Sequence, residues 1–437
     1  MDILIKVIQL FLCFTLLVGI HELGHFLMAR VFGIRVEKFY IFFDPWFSLF
    51  KFKRGGTEYG VGWLPLGGYV KIAGMIDESL DTEQMKQPVR PDEFRAKPAW
   101  QRFLVMIAGI VMNILLAVAI YCGICYTWGE KYFANEDAVY GYTFNTAAQG
   151  LGFENGDKII SIDGEPIDDV NAIAMTLLLT ESDRTVVVER DGREERFTIP
   201  FEQLVDFRRS KGYEEMLMLR TPFRIDSVAS PAALDAGLRA GDEVVALNGE
   251  RHIEFAEYVG LLADHKSSDV QLTVVRGDST AVPVNADGKI GVTVARHDYR
   301  LRTKEYTFWQ SIPAGIRRTG SVIANYWEQL KLIVQPKTQM YEELGGFIAI
   351  GSIFPSAWNW QDFWSKCAFI SIILAIMNIL PIPGLDGGHA IFTLWEMITG
   401  RKPSDRFLEA AQYVGLAIIL VLLVYANGND IYRFFIK

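Results

Sequence analysis

Cysteine is scarce in this chain, four among 437 residues. Cys13, Cys122, Cys125 and Cys367 all lie in apolar runs and none in the more polar middle, which excludes a disulfide framework. Cys122 and Cys125 have the spacing of a redox or zinc pair, but no second pair accompanies them inside a hydrophobic run, so they are read as packing residues. A surplus of basic residues is also missing: 43 Lys and Arg face 52 Asp and Glu, a net charge of -9, which argues against nucleic acid as a partner. Histidine is rare too, six in all. What the chain has in abundance is hydrophobic residues, 50%, although 22% charged is too many for a wholly intramembrane protein. The composition suits membrane helices carrying soluble modules.

Two of the six histidines stand together. His21-Glu22-Leu23-Gly24-His25 closes an apolar run that begins near Val7. Spacing of four on a helix puts both imidazoles on one face, where they can bind one zinc ion, and the glutamate between them can act as general base for an attacking water. Such residues are costly at the end of a membrane helix, which makes them functional candidates. Near the other end, Asn378-Ile379-Leu380-Pro381-Ile382-Pro383-Gly384-Leu385-Asp386-Gly387-Gly388 closes a second apolar run. Pro381 and Pro383 each lack an N–H and fix φ, so the helix must break there. A break at membrane depth is tolerated where backbone lines a polar cavity or is buried in protein. Taken alone, Asp386 reads equally as an exposed residue of a Pro/Gly turn. Paired with the His-Glu-x-x-His run it reads as the third metal ligand. His389, three residues on, is read as neighbouring the site rather than ligating. His252, His265 and His297 are scattered.

These two motifs, with small domains between them, resemble the site-2 proteases, and among these the bacterial branch with tandem PDZ domains. The resemblance spans nearly the whole chain. It implies that His21, His25 and Asp386 hold one zinc ion, that Glu22 is the catalytic base, and that Asn378 and Asn113 hold substrate backbone near the metal. It implies a zinc-dependent intramembrane endopeptidase acting on single-pass membrane proteins already trimmed outside, of the anti-sigma-factor type in a sigma-E stress response, and signal-peptide remnants. The alternative is a catalytically idle PDZ scaffold that keeps zinc for stability. Many relatives carry a proline within the stretch that here reads Gly109-Ile110-Val111-Met112-Asn113, and a proline where Phe347 stands.

Four stretches are long and apolar enough to span a bilayer: 3–26, 103–126, 363–385 and 407–426. The first lacks a cleavage site and contains the His-Glu-x-x-His run, so it is read as retained. Arg30, Arg35, Lys38, Lys51, Lys53, Arg54 and Lys71 follow the first span, and Arg401, Lys402 and Arg406 precede the last. Positive-inside bias puts both loops in the cytoplasm and the long middle outside, in the periplasm of a Gram-negative host. The expected location is the bacterial inner membrane, with the lipid bilayer as partner and the active site toward the cytoplasmic side.

The middle contains a repeat. Gly152 to Glu165 recurs 85 residues later, Gly237 to Glu250, each copy reading Gly-x-x-x-Gly-Asp, a buried strand and a hairpin turn at Asp163-Gly164 or Asn248-Gly249. This resembles two circularly permuted PDZ domains, which would take a periplasmic peptide or C-terminus along a sheet edge. Asp157 and Asp242 are read as turn caps. Between spans one and two, Thr57 to Lys71 mixes aromatic, β-branched and glycine residues and reads as a bent hairpin beside the site, able to pair with unwound substrate and placing Tyr69 as a substrate contact. Residues 77–91 read as a polar loop. Residues 308–334 have a narrow apolar stripe, suited to an interfacial or groove-lining helix.

The expected fold is a polytopic α-helical membrane protein with four transmembrane helices, two inserted α+β PDZ domains and a membrane-associated β-hairpin. The divisions are 1–30, first transmembrane helix; 31–101, cytoplasmic loop with the hairpin; 102–127, second transmembrane helix; 128–220 and 221–303, the PDZ domains; 304–362, the amphipathic segment; 363–390, third transmembrane helix with the Leu-Asp-Gly-Gly run; 391–406, a cytoplasmic loop; and 407–437, the fourth helix and C-terminus.

Overall fold

A computed structural model describes residues 2–64, 67–75, 87–252, 254–275, 278–295 and 301–436. Most of the expected polar loop 77–91 lies outside these residues. The chain divides into two compact units, one made of Met1–Glu130 with Glu305–Lys437 and the other of Lys131–Lys304.

Among the described residues, the first unit holds four helices apolar and long enough to cross a membrane, Ile3–Val31, Ala99–Trp128, Trp360–Ile379 and Arg406–Phe435. They belong to α1 (Asp2–Val31), α2 (Ala99–Trp128), α4 (Trp360–Ile379) and α6 (Asp405–Ile431); α3 (Phe308–Val334), α5 (Asp386–Thr399) and a short helix at Phe347–Ser352 lie in the same unit. In the third expected span the helix ends six residues early. Leu380 turns to extended backbone (φ -60, ψ 144) ahead of Pro381. A new helix then starts at Asp386 and runs to Thr399, stopped by Gly400 in the left-handed region. The stretch 391–406, expected as a connecting loop, is therefore helical over its first half. Cutting the helix here matters because it frees residues 380–385 to turn and sets the Asp386 carboxylate on a first turn, where the helix dipole favours negative charge.

α1 and α2 approach closely. A Cβ on Gly24 would lie 2.5 Å from the Ala108 carbonyl oxygen, so only glycine lets the backbones meet. α3 packs against α2 and α4 through an apolar cluster in which Val322, Ile323, Tyr326 and Leu330 meet Tyr121, Ile124, Ile372 and Ile376. Cys122 points its thiol at the Ile312 carbonyl, 3.6 Å away, and all four cysteines are free, in keeping with packing roles.

The expected hairpin of residues 57–71 is instead part of a four-stranded mixed sheet in the order β2-β3-β1-β4: β1 Val36–Ile41, β2 Phe43–Arg54, β3 Thr57–Leu64 and β4 Tyr69–Ile72. β3 pairs with β2 across the tight turn at Gly55-Gly56, and β4 turns back to pair with β1. Local sequence could not reveal that β1 lies between β3 and β4. Ile34, Val36, Val70 and Ile72 of this region pack with Ala29 of α1, Met106 of α2 and Ala390 of α5, which ties the sheet to the metal-motif helices.

The second unit has two cores in sequence order, one built from residues between Ala138 and Met216 and the other from Phe223 to Ile290. The repeat has matching structure in both. Lys158–Ile162 pairs with Glu165–Pro166, and Glu243–Leu247 with Glu250–Arg251, through turns in which Asp163 and Gly164 (φ 52 and 82), and Asn248 and Gly249 (φ 51 and 85), take the left-handed conformation. Asp157 accepts from the Glu154 N–H, and Asp242 from the Arg239 N–H, both at 2.8 Å, the turn-capping role expected of them.

Candidate metal centre

The α1 helix puts His21 and His25 on one face, and the break before α5 brings Asp386 to them from the far end of the chain. The ring nitrogens Nε2 of His21 and His25 are 3.2 Å apart. Asp386 Oδ2 stands 3.0 Å from the first and 3.3 Å from the second. Among the described residues this is the one group of three or more His, Cys, Asp and Glu side chains that gathers as a metal would require.

The fit to zinc can be tested on these distances. A tetrahedron with ~2.0–2.1 Å zinc–ligand bonds has edges of about 3.3 Å, and the three separations all lie close to that. Hydrogen bonding gives a second test. His25 Nδ1 lies 2.8 Å from the Val105 carbonyl oxygen, which can only accept. Nδ1 therefore carries the proton, and Nε2 turns a lone pair toward Asp386. Two acceptors facing each other repel unless a cation lies between them, and Asp386 Oδ2, although buried, has no hydrogen-bond donor. The residues fit a zinc ion.

Asn113 lies behind His21. Its side-chain amide is 3.4 Å from His21 Nδ1, and its Oδ1 is buried without a donor. The two ends of an amide look alike, so the orientation with Oδ1 accepting from His21 Nδ1–H satisfies both groups and leaves Nε2 free for a metal. Asn113 is fully buried, and its backbone carbonyl accepts from the Ser371 hydroxyl at 2.8 Å. That place suits steering of the imidazole better than the expected hold on substrate. Asn378 brings its amide to 3.5 Å from His21 Nε2, at the limit of a hydrogen bond.

A cavity of about 510 Å³ opens onto this group. Its wall includes His21, Glu22, His25 and Asp386, β4 from Tyr69 to Ile72, and Gln412 of α6. The Val70 backbone hydrogen-bonds the Glu22 carboxylate. Tyr69 lies on the wall as expected of a substrate contact, its hydroxyl donating to Asp44 at 2.9 Å. Burial, reinforced by that hydrogen bond, pushes its phenol well above the usual value, so it remains a donor. His389 also lines the cavity but is not one of the three gathered ligands.

The sequence profile of peptidase family M50 matches residues 9–422. The chain belongs to peptidase family M50. Several bacterial proteins align with it over nearly their whole length. The Regulator of sigma E protease of Haemophilus influenzae is 29% identical, with 96% of this chain and 97% of that protein aligned. Two proteins named "Putative zinc metalloprotease" align comparably: one from Neisseria meningitidis, 27% identical over 96% of this chain and 97% of its own, and one from Clostridium perfringens, 29% identical over 96% of each. As an M50 peptidase the chain is a site-2 type zinc metalloprotease embedded in a membrane. Sequence reading did not find Lys38, Asp44, Lys71 or Gln412 on the cavity wall. Alternation along the strands hints at the first three, but only the strand order puts them at the site.

Proposed function

We propose that this M50 peptidase cleaves peptide bonds within or beside transmembrane segments of single-pass membrane proteins, with His21, His25 and Asp386 holding the zinc ion and Glu22 moving the proton. The observation that carries the reading is the 3.0–3.3 Å triangle of Nε2, Nε2 and Oδ2 atoms with Glu22 on the same cavity wall. Bound zinc supplies a Lewis acid that polarises a carbonyl and makes water acidic near neutral pH. Glu22 takes a proton from the water as its oxygen adds to the peptide carbon, then gives it to the amine nitrogen as the C–N bond breaks. A helical substrate hides its carbonyls in i→i−4 hydrogen bonds, so it must unwind first. β4 ends the sheet with its outer edge unpaired among the described residues, and it lies on the cavity wall. An unwound segment adding to that edge would regain backbone hydrogen bonds beside Glu22. Asn378, whose amide reaches to 3.5 Å from His21 Nε2, is read as meeting the same backbone, and Asn113 as orienting His21.

The two cores between Lys131 and Lys304 are read as PDZ domains, supported by the repeated strand-turn-strand signature. They restrict access of substrates with bulky outer domains or capture a trimmed C-terminus. Lysines and arginines flanking the spans support a cytoplasmic location for the sheet and for the α5–α6 connection, and an outer, periplasmic location for the repeat. The sigma-E name of the Haemophilus influenzae relative supports a membrane-bound anti-sigma factor as one substrate.

The decisive experiment uses Glu22→Gln, which keeps size and hydrogen bonding but cannot take a proton. Cleavage of a single-pass test substrate should fall by about 10² or more while zinc content stays at the wild-type level. Wild-type cleavage by the variant would end this reading.

A further inference from the structure

An arginine is buried inside the second span. Arg102 stands in the first turn of α2, a helix apolar enough to cross a membrane, and is only 7% exposed. A charge in such a place is costly and is kept where it has a partner and a use. An arginine near a helix end can snorkel its head into water, yet this one turns inward. Its Nη2 donates to Oε1 of Glu396 on α5 at 2.5 Å, and its Nε donates to the Lys97 carbonyl oxygen at 3.0 Å. Its guanidinium carbon lies 6.0 Å from the centre of the Phe94 ring.

Neither charge suits its own helix. Arg102 sits at the positive end of α2, and Glu396 in the last turn of α5, where unpaired carbonyls repel a carboxylate. Each complements the other helix instead, so the pair is favourable only while these two helix ends stay together. Positions 102, 105, 109 and 113 recur at spacings of three and four, which is one side of α2. Val105 gives its carbonyl to His25 there, Gly109 leaves room for both imidazoles, and Asn113 meets His21. Arg102 extends that side to the helix that begins with Asp386. The first turn of α5 has little slack. A Cβ on Gly387 would lie 2.4 Å from the Leu380 carbonyl oxygen, and one on Gly388 would lie 2.5 Å from that of Ile382.

We propose that Arg102 and Glu396 are positioning residues for the reaction: their ion pair fixes the register of α5 along α2 and so holds the Asp386 carboxylate against His21 and His25. The proposal rests on the reading that these three side chains hold zinc. Neither member of the pair touches the reacting atoms, since ten residues of helix separate Glu396 from Asp386, about 15 Å. The link is mechanical. A 14-residue helix moves as one rod, so anchoring its far end sets its near end. The turn of chain that leads into α5, broken at Pro381 and Pro383, cannot set that register by itself. A slide of about one ångström would exceed several times over the tolerance of about 0.2 Å that a zinc–ligand bond allows.

The experiment uses full-length protein loaded with zinc. Arg102→Gln and Glu396→Gln are compared with the reversed pair Arg102→Glu/Glu396→Arg. Leu330→Ala, which thins the apolar cluster between α3 and its neighbours, controls for a general loss of stability. Zinc release to a chelator is timed at a temperature where every variant remains folded, and thermal unfolding is read on the same samples. Each single variant should release zinc about 10-fold faster than wild type, with KM unchanged at saturating zinc. The reversed pair should recover most of the wild-type retention. Leu330→Ala should unfold at a lower temperature and yet keep its zinc. Cobalt in place of zinc gives a second readout, because its visible spectrum follows ligand geometry: the single variants should shift it at full occupancy. Wild-type release and an unshifted spectrum in both single variants overturn the proposal. Equal loss of zinc from Leu330→Ala also overturns it, by making the pair merely structural, and so does a folded reversed pair that leaks as fast as the single variants. Full zinc in His21→Ala/His25→Ala would instead overturn the zinc reading beneath it.

Discussion

His25 Nδ1 lies 2.8 Å from the carbonyl oxygen of Val105, so α2 decides which nitrogen of an α1 histidine carries the proton. The second span thus contributes no side chain to the gathered group and yet orients one of its histidines. Its glycine at position 109 acts in the same place, since a Cβ there would stand 2.4 Å from His25 Nε2 and 2.7 Å from His21 Cε1.

Removal of the carboxylate tests the ligand set. Purified wild type should hold about one zinc per chain, and Asp386→Ala should fall well below half of that while remaining inserted. Metal analysis checks it. Full zinc in a His21→Ala/His25→Ala variant would put the ion elsewhere.

Asn113 has two competing roles, and kinetics separates them. If it orients His21, Asn113→Ala should weaken zinc binding by about 10- to 100-fold, seen as faster loss to a chelator, with KM unchanged once zinc is saturating. A raised KM with normal zinc retention would return Asn113 to the substrate-holding role.

Gly109→Ala adds one methyl group where two imidazoles already stand. Backbone on α2 and rings on α1 cannot both keep their places, so zinc content and activity should drop together, and the overpacking should cost about 1–3 kcal/mol of stability. Thermal unfolding and metal analysis of one preparation read both. Normal zinc in this variant would show that the helices separate freely.

Topology is checked with single cysteines in a variant lacking the four native ones. Glu165→Cys, in the repeat's first hairpin, should react in intact cells with a membrane-impermeant thiol reagent. Arg401→Cys, between α5 and α6, should react only after permeabilisation. The opposite pattern would invert the orientation drawn from loop charges.

Much of the metal group was legible because its chemistry is written in short motifs: a four-residue histidine spacing needs only a helix, and Pro381 with Pro383 announces a break. The two turns of the repeat were legible for the same reason, since Asp163-Gly164 and Asn248-Gly249 meet a local steric demand. Pairing between distant strands has no such local signature. Residues 57–71 contain two strands, as their composition suggests, but these pair with β2 and β1 rather than with each other. Lys38 and Lys71 meet only through that order. The third span was misjudged in length because hydropathy continues through Leu380 and Ile382 after the helix has ended.

The three side chains gathered as a metal would require stand at residues 21, 25 and 386, almost the whole chain apart, with the unit Lys131–Lys304 made between them. A ribosome delivers these positions in order. A nascent chain that has made α1 and α2 has the two histidines of that group and lacks its carboxylate until α5 is made. Synthesis therefore builds in its own delay: the full His-His-Asp group can gather only after the repeat that follows α2 has been made.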